Sequence, residues 1–303
     1  MGTHYCTVFT PTYNRADLLD RLYQSLTVQE FKDFEWVIVD DGSQDNTTEV
    51  VATYIEEKKI DIKYIKVKNG GKHRAINKGL EICDGKVFAI VDSDDYLLPS
   101  ALAKIHFWFG EIEKDGQMKY CGVSGCKGYN EKEIVGTTFQ GSYIDATNIE
   151  RKKYNITGDK FEVFYTEILR NYLFPTYEGE NFMSEIVVWT RMAKDGYYIR
   201  WYQDIVYLCD YLEGGLTSNN FKVLSNNPNG YALRIREQVK YARIPLKERW
   251  GYYSNYYYLT KDKEKFRQMC KKLEVSYAEM LCAIILRFAI MLWRGNLSEY
   301  ENI

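Results

Sequence analysis

The chain has 303 residues, of which 46% are hydrophobic and 27% charged, which excludes a disordered or fibrous protein and allows one large globular domain or two smaller ones. A net charge of −2 gives no electrostatic reason to expect a nucleic-acid partner. The first hundred residues alternate between short apolar runs and helical patterns. Tyr5–Thr10 reads as a strand and Arg15–Val28 as an amphipathic helix. Glu35–Val39 is a strand running into Asp40-Asp41-Gly42-Ser43, and Thr47–Glu57 is a helix that Asp45 or Asn46 can cap. Ile62–Val67 is a third strand, followed by Gly70-Gly71 and a helix over Lys72–Ile82. Lys86–Val91 is a fourth, running straight into Asp92-Ser93-Asp94-Asp95. Apolar strands alternating with helices predict an α/β fold with a mostly parallel, Rossmann-like sheet covered by helices on both faces.

Beyond residue 110 the pattern is less regular. Gly122–Gly128 reads as strand and turn, Thr157–Arg170 mixes strand and helix signals, Ser184–Asp195 reads as a helix, and Tyr197–Asp210 as one or two strands. Ser225–Asn229 interrupts the periodicity, and a helical, tyrosine-rich region follows it. The expected division is therefore 1–225, with halves 1–112 and 113–225, and a helical C-terminal region 226–303. Most of the 27 tyrosines are expected in cores and helix packing, although a flat face with a polar tip also suits bases and sugars. Seven cysteines without a C-x-x-C pair read as reduced and buried, in a cytosolic protein. Met1–Thr12 lacks a basic start followed by an apolar run, so no secretory signal is expected.

Ligands of such sheets bind beyond the carboxyl ends of the strands. Four polar clusters should meet there: Pro11-Thr12-Tyr13-Asn14, Asp40-Asp41-Gly42-Ser43, Gly70-Gly71-Lys72-His73-Arg74 and Asp92-Ser93-Asp94-Asp95. Asp92 and Asp94 are spaced so that one turn brings both carboxylates near one cation. Hard oxygen donors suit Mg2+ or Mn2+, which takes few protein ligands and several phosphate oxygens. The simpler reading is an acidic turn that caps the next helix. No G-x-x-x-x-G-K-[ST] and no G-x-G-x-x-G after the first strand occurs, so a P-loop and a dinucleotide fingerprint are both absent.

The runs Thr10-Pro11-Thr12-Tyr13-Asn14-Arg15, Val39-Asp40-Asp41-Gly42-Ser43-Gln44-Asp45 and Val91-Asp92-Ser93-Asp94-Asp95, with their intervals, resemble glycosyltransferase family 2 with the GT-A fold. The resemblance is specific over Cys6–Pro99 and weaker over Phe174–Gly215. It implies an inverting, metal-dependent transferase using a nucleoside-diphosphate sugar, UDP first, and a glycan or lipid-linked glycan acceptor, as in bacterial surface polysaccharide synthesis. Pro11, Thr12 and Tyr13 would border the base, Asp40 would bond its edge and Asp41 would support that loop. Arg15, Gly71, Lys72, Arg74 and Ser93 would approach the donor. Asp94 would bind the metal and diphosphate, and Asp92 the ribose or a metal-bound water.

Inversion needs a base on the acceptor hydroxyl. The family's usual Glu-Asp pair is absent here. The stretch Glu178–Arg191 offers Glu185, aligned by the downstream Trp189 and Arg191, or Glu180, aligned by the preceding Gly179. Glu185 is preferred, since it would begin a helix where the dipole favours a carboxylate; a first-turn glutamate without a catalytic role is its plain alternative. His73 could touch donor phosphates or lie on the helix surface. Trp201-Tyr202 and Tyr211–Thr217 could form the acceptor side and a lid hinged at Gly214-Gly215. Ala278–Trp293 is the most apolar stretch but is shorter than the ~20 residues of a bilayer span. It reads as a buried helix or as one lying on the inner face of the cell membrane. A sugar-nucleotide sensor and a sugar nucleotidyltransferase are the competing readings; the latter lacks its Gly-rich loop with Arg and Lys in Pro11–Arg15.

Overall fold

The computed structural model describes residues 3–209, 220–242 and 244–294. The chain forms two compact units, Met1–Phe174 with Arg191–Tyr211, and Pro175–Thr190 with Leu212–Ile303.

The first unit begins with β1 (His4–Thr12), α1 (Ala16–Thr27), β2 (Phe34–Asp40), α2 (Thr47–Glu57), β3 (Asp61–Lys66), α3 (Lys72–Ile82) and β4 (Gly85–Ile90). It continues with β5 (Tyr96–Leu97), α4 (Ala101–Asp115), β6 (Tyr120–Gly128), β7 (Tyr143–Ala146), β8 (Lys160–Tyr165) and α5 (Thr166–Arg170). The helix α6 (Ile186–Lys194) then leads back into β9 (Tyr198–Leu208). The nine strands described form one sheet in the order β3-β2-β1-β4-β8-β6-β9-β5, with β7 also paired to β9. The β3-β2-β1-β4 part is parallel, as the continuous apolar runs predict, and all seven residues of β2 are buried. The sheet becomes mixed beyond it, because β8 inserts antiparallel between β4 and β6. The stretch with mixed signals resolves into β8 and α5, and Tyr198–Leu208 is one strand with register shifts against β6. Helices cover both faces, and the core gathers Leu19, Leu22, Trp36, Ile38, Phe109 and Val123.

Parallel pairing sets the strand ends level. Thr12 pairs with Asp40, and Asp40 with Lys66. The ladder runs on through Asp41 N–H to Thr12 O (2.8 Å), Val67 N–H to Asp40 O (2.8 Å) and Val91 N–H to Phe9 O (2.8 Å). The polar residues after β1, β2, β3 and β4 therefore leave the sheet on one edge.

The second unit holds α7 (Asn220–Asn226), α8 (Pro228–Tyr241), α9 (Leu246–Thr260), α10 (Phe266–Leu273) and α11 (Tyr277–Arg294) around Tyr231, Ile235, Tyr256, Met269 and Met280. Its tyrosines 231, 253 and 256 are buried, as expected of packing residues. Of the two readings for 278–293, the fully buried helix is not what the structure shows. Met280 and Ala283 are buried, but Leu281, Ile285, Phe288 and Leu292 are exposed at helical spacing. The helix is peripheral, held on one side by Arg249–Glu279 (2.7 Å) and by Arg287, which bonds Asn255 and lies over the Tyr258 ring at 5.0 Å. No described helix is long and apolar enough to cross a membrane. All seven cysteines are free thiols; six are buried, and Cys282 on α11 is exposed.

Candidate active site

The end of β1 is tied to the end of β2 by local hydrogen bonds. Asn14, in the left-handed region (φ 51°), donates its N–H to Ser43 Oγ (2.9 Å), and its Oδ1 accepts from Gln44 N–H (2.7 Å). Asp45 begins both neighbouring helices: it accepts from Ala16 N–H (3.1 Å) at α1 and from Thr47 N–H and Oγ1 at α2. Of the two expected caps for α2, Asp45 is the one whose side chain bonds.

Asp40 is fully buried. Its Oδ1 accepts from Ser43 N–H (2.7 Å) and its Oδ2 from Tyr64 Oη–H (2.7 Å). Asp41 reaches across to the loop after β3 and accepts from Gly70 N–H (2.8 Å) and Gly71 N–H (2.7 Å). Burial raises its pKa above the ordinary carboxylate value, against the pull of those two amides. The loops approach so closely that a Cβ on Gly42 (φ +88°) would stand 2.9 Å from Asn69 N. Pro11 and Thr12 end β1, Thr12 is buried with an unpaired hydroxyl, and Tyr13 is exposed.

Beside these loops, Asp92 Oδ1 pairs with Lys72 Nζ (2.6 Å), at the first residue of α3. Asp94 Oδ2 pairs with Arg15 Nη1 (2.9 Å), at the start of α1, and Arg21 bonds the Asp94 carbonyl. Burial alone would raise the Asp92 pKa; Lys72, Lys127 and Arg15 together hold it below its ordinary value. Arg74 turns back to Gly70 O (2.6 Å) and to His73 Nε2 (3.2 Å). His73 is buried rather than on the helix surface. Burial and then Arg74 lower its pKa to about 4, which keeps the ring neutral. Ser93 is buried within the turn.

These residues are gathered on one sheet edge in the first unit. The donor set at Asp92 and Asp94 consists of carboxylate oxygens, and among the described residues no group of three His, Cys, Asp or Glu gathers to hold a cation unaided. Such a pair fits a hard divalent cation that completes its shell with phosphate oxygens and water. Three neighbours escaped the sequence reading. Tyr64 bonds Asp40, and Lys127 and Tyr207, from β6 and β9, back the turn after β4. Lys127 and Tyr207 lie on strands far away in the chain, and no local pattern marks any of the three.

The two candidate bases belong to the second unit. Glu180 is buried, and its two carboxylate oxygens accept from Asn229 N–H (2.7 Å) and Gly230 N–H (2.8 Å), which caps α8. Glu185 stands immediately before α6, and its carbonyl accepts from Val188 (3.0 Å) and Trp189 (3.1 Å). Trp201 and Tyr202 are buried on β9. The suggested lid at 211–217 lies outside the described residues.

A family model described as glycosyl transferase family 2 matches residues 7–169, more than half of the chain. A curated relative, the GalNAc(5)-diNAcBac-PP-undecaprenol beta-1,3-glucosyltransferase of Campylobacter jejuni, is 28% identical over 62% of this chain and 60% of its own length. The poly(ribitol-phosphate) beta-N-acetylglucosaminyltransferase TarS of Staphylococcus aureus is 32% identical over 39% of this chain and 21% of its own length. The chain thus spans less than two thirds of these relatives. In fold it is similar to S. aureus TarS in complex with UDP-GlcNAc (TM-score 0.63, 19% identity, 92% of this chain and 81% of that one). It is also similar to a mannosyltransferase of Pyrobaculum calidifontis in complex with GDP-Man and Mn2+ (TM-score 0.55, 18% identity, 99% and 82%).

Proposed function

Because the chain belongs to glycosyl transferase family 2, we propose that it transfers one sugar, with inversion, from a nucleoside diphosphate to a glycan or lipid-linked glycan. The observation that carries this reading is the pair Asp92 and Asp94 after a buried parallel strand, each matched by a basic side chain, Lys72 or Arg15. Asp94, with Asp92 directly or through water, would hold Mn2+ or Mg2+. When bound, the cation offsets the negative charge that develops on the leaving diphosphate. Lys72 and Arg15 bring further positive charge to the same edge. Pro11, Thr12 and Tyr13 would border the base; Asp40, buried with both oxygens bonded to Ser43 N–H and Tyr64 Oη–H, would hold the loop beneath it, while Asp41 fixes the Gly70-Gly71 turn that begins α3. Glu185 takes the proton of the acceptor hydroxyl. The acceptor oxygen then bonds to the anomeric carbon, and the carbon–oxygen bond to the diphosphate breaks with its electron pair.

UDP is the first donor nucleotide to try, because a fold neighbour binds UDP-GlcNAc. Calorimetry of UDP-GlcNAc, UDP-glucose and GDP-mannose, with and without Mn2+, tests the reading together with nucleoside diphosphate release. One donor should bind more tightly with Mn2+ and release its nucleotide when acceptor is supplied. Binding without release for every acceptor would favour the sugar-nucleotide sensor.

The exposed stripe Leu281, Ile285, Phe288 and Leu292 supports a second part of the reading, that α11 rests on a lipid surface. The C. jejuni relative's name includes a polyprenyl diphosphate, and exposed Arg267 and Lys271 on the preceding helix suit anionic headgroups. The full chain should float with anionic liposomes, and a chain ending at Lys272 should not; equal flotation of the two would sink the idea.

A further inference from the structure

One buried polar cluster backs the donor site without a role in the reading above. Tyr207, fully buried on β9, accepts the Asp92 N–H at 3.1 Å and donates its hydroxyl to Asp95 Oδ2 at 2.6 Å. The turn is closed by Asp95 N–H to Asp92 O at 3.1 Å. One phenol thus clips the first and last residues of Asp92–Asp95, the turn that bears the partly exposed Asp92 and Asp94 carboxylates. Lys127 pairs with Tyr207 in the β6–β9 register. Its ammonium lies 4.0 Å over the Tyr207 ring and 4.0 Å from Asp95 Oδ2. The register shifts just before this pair: Cys126 pairs with Ile205 and Lys127 with Tyr207, so β9 carries one extra residue. Such bulges re-aim side chains next to functional sites.

Stability alone is a poor reason for this arrangement. Asp95 is buried, with the Lys127 ammonium 4.0 Å from its Oδ2. A buried cation and carboxylate are often no more stable than apolar residues of similar volume. What the cluster does provide is a fixed position for the turn, since one hydroxyl is bonded to both the Asp92 amide and the buried Asp95 carboxylate.

We propose that Tyr207 is a positioning residue for the donor, holding the Asp92–Asp95 turn in the geometry that binds cation and diphosphate, with Lys127 holding the phenol and carboxylate together. This inference rests on the reading of Asp92 and Asp94 as the cation and diphosphate ligands. It is tested by calorimetry of UDP, with GDP in parallel, on the full chain with and without Mn2+. Tyr207→Phe keeps the ring and loses the hydroxyl. It should cut the Mn2+-dependent gain in nucleotide affinity about tenfold, with a smaller change in metal-free affinity. Hydrogen exchange of the peptide covering 91–98 should speed up in the same variant, while a merely structural role would lower the melting temperature without altering the Mn2+ gain of the folded protein. Lys127→Met keeps the stem over the ring and carries the test if Tyr207→Phe does not fold; it should lower the same gain about threefold. Wild-type Mn2+ gain in these variants overturns the inference alone. No Mn2+ gain in the wild type, and no change on Asp94→Asn, removes the donor-site reading and this inference with it.

Discussion

Glu185→Gln should lower kcat about a thousandfold while nucleotide-sugar affinity stays at the wild-type level. A positioned general base contributes roughly 10²–10⁴-fold, and an amide cannot accept the acceptor's proton. The backbone of Glu185 opens α6, where the helix dipole favours a carboxylate, so the substitution removes a charge without removing a packing group. The alternative base, Glu180, already has both oxygens engaged with the first amides of α8. Glu180→Gln should therefore act mainly on stability. It places an amide group opposite an N–H at the helix start, at a cost of about 1–2 kcal/mol, read as a shift in the denaturation midpoint. Single-turnover kinetics beside donor calorimetry separates the two. Near-normal turnover by Glu185→Gln, with a folded but inactive Glu180→Gln, would move the base to Glu180.

The second large effect is expected at Asp94. Asp94→Asn keeps a carbonyl oxygen of the same size but removes the charge that would face the cation, and Arg15 loses its partner. Charge stabilisation by a bound divalent cation is worth several kcal/mol, so kcat/KM should fall about a thousandfold. Asp92→Asn should cost less, because in the proposed arrangement Asp92 acts partly through ribose or water, and the change frees Lys72 to meet phosphate itself. Initial rates after chelation, followed by titration with MnCl2, measure both. An Asp94→Asn enzyme that retains the full Mn2+ response would shift the metal ligand elsewhere.

The first four strands and their helices could be read from sequence because β1, β2 and β4 carry mostly apolar runs and β3 a mixed one, each closed by a polar or glycine-containing turn. The meeting of the Thr12, Asp40, Lys72 and Asp92 clusters follows from parallel pairing alone. Longer-range partners could not be read. Tyr207 is 115 residues from the Asp92 amide it accepts, and its neighbourhood depends on a one-residue bulge that leaves no mark in a strand of mixed aromatic and aliphatic residues. The β8 insertion is likewise invisible locally, since Lys160–Tyr165 is as apolar as a strand between two parallel neighbours would be. The grouping of 175–190 with the C-terminal helices involves Glu180 capping a helix 49 and 50 residues onward. His73 was ambiguous because its place in the first turn of α3 leaves both faces open until the Arg74 side chain folds over it.

The distribution of thiols has a practical consequence. Burial pushes up the pKa values of Cys6, Cys83, Cys121, Cys126 and Cys270, and shelters Cys209 as well. Cys282 alone stands open, beside Leu281 on the apolar face of α11. An environment-sensitive maleimide dye added to the unaltered chain should therefore label one place. Its emission becomes a built-in gauge of what that face touches, in buffer, detergent or vesicles, without engineering a single residue.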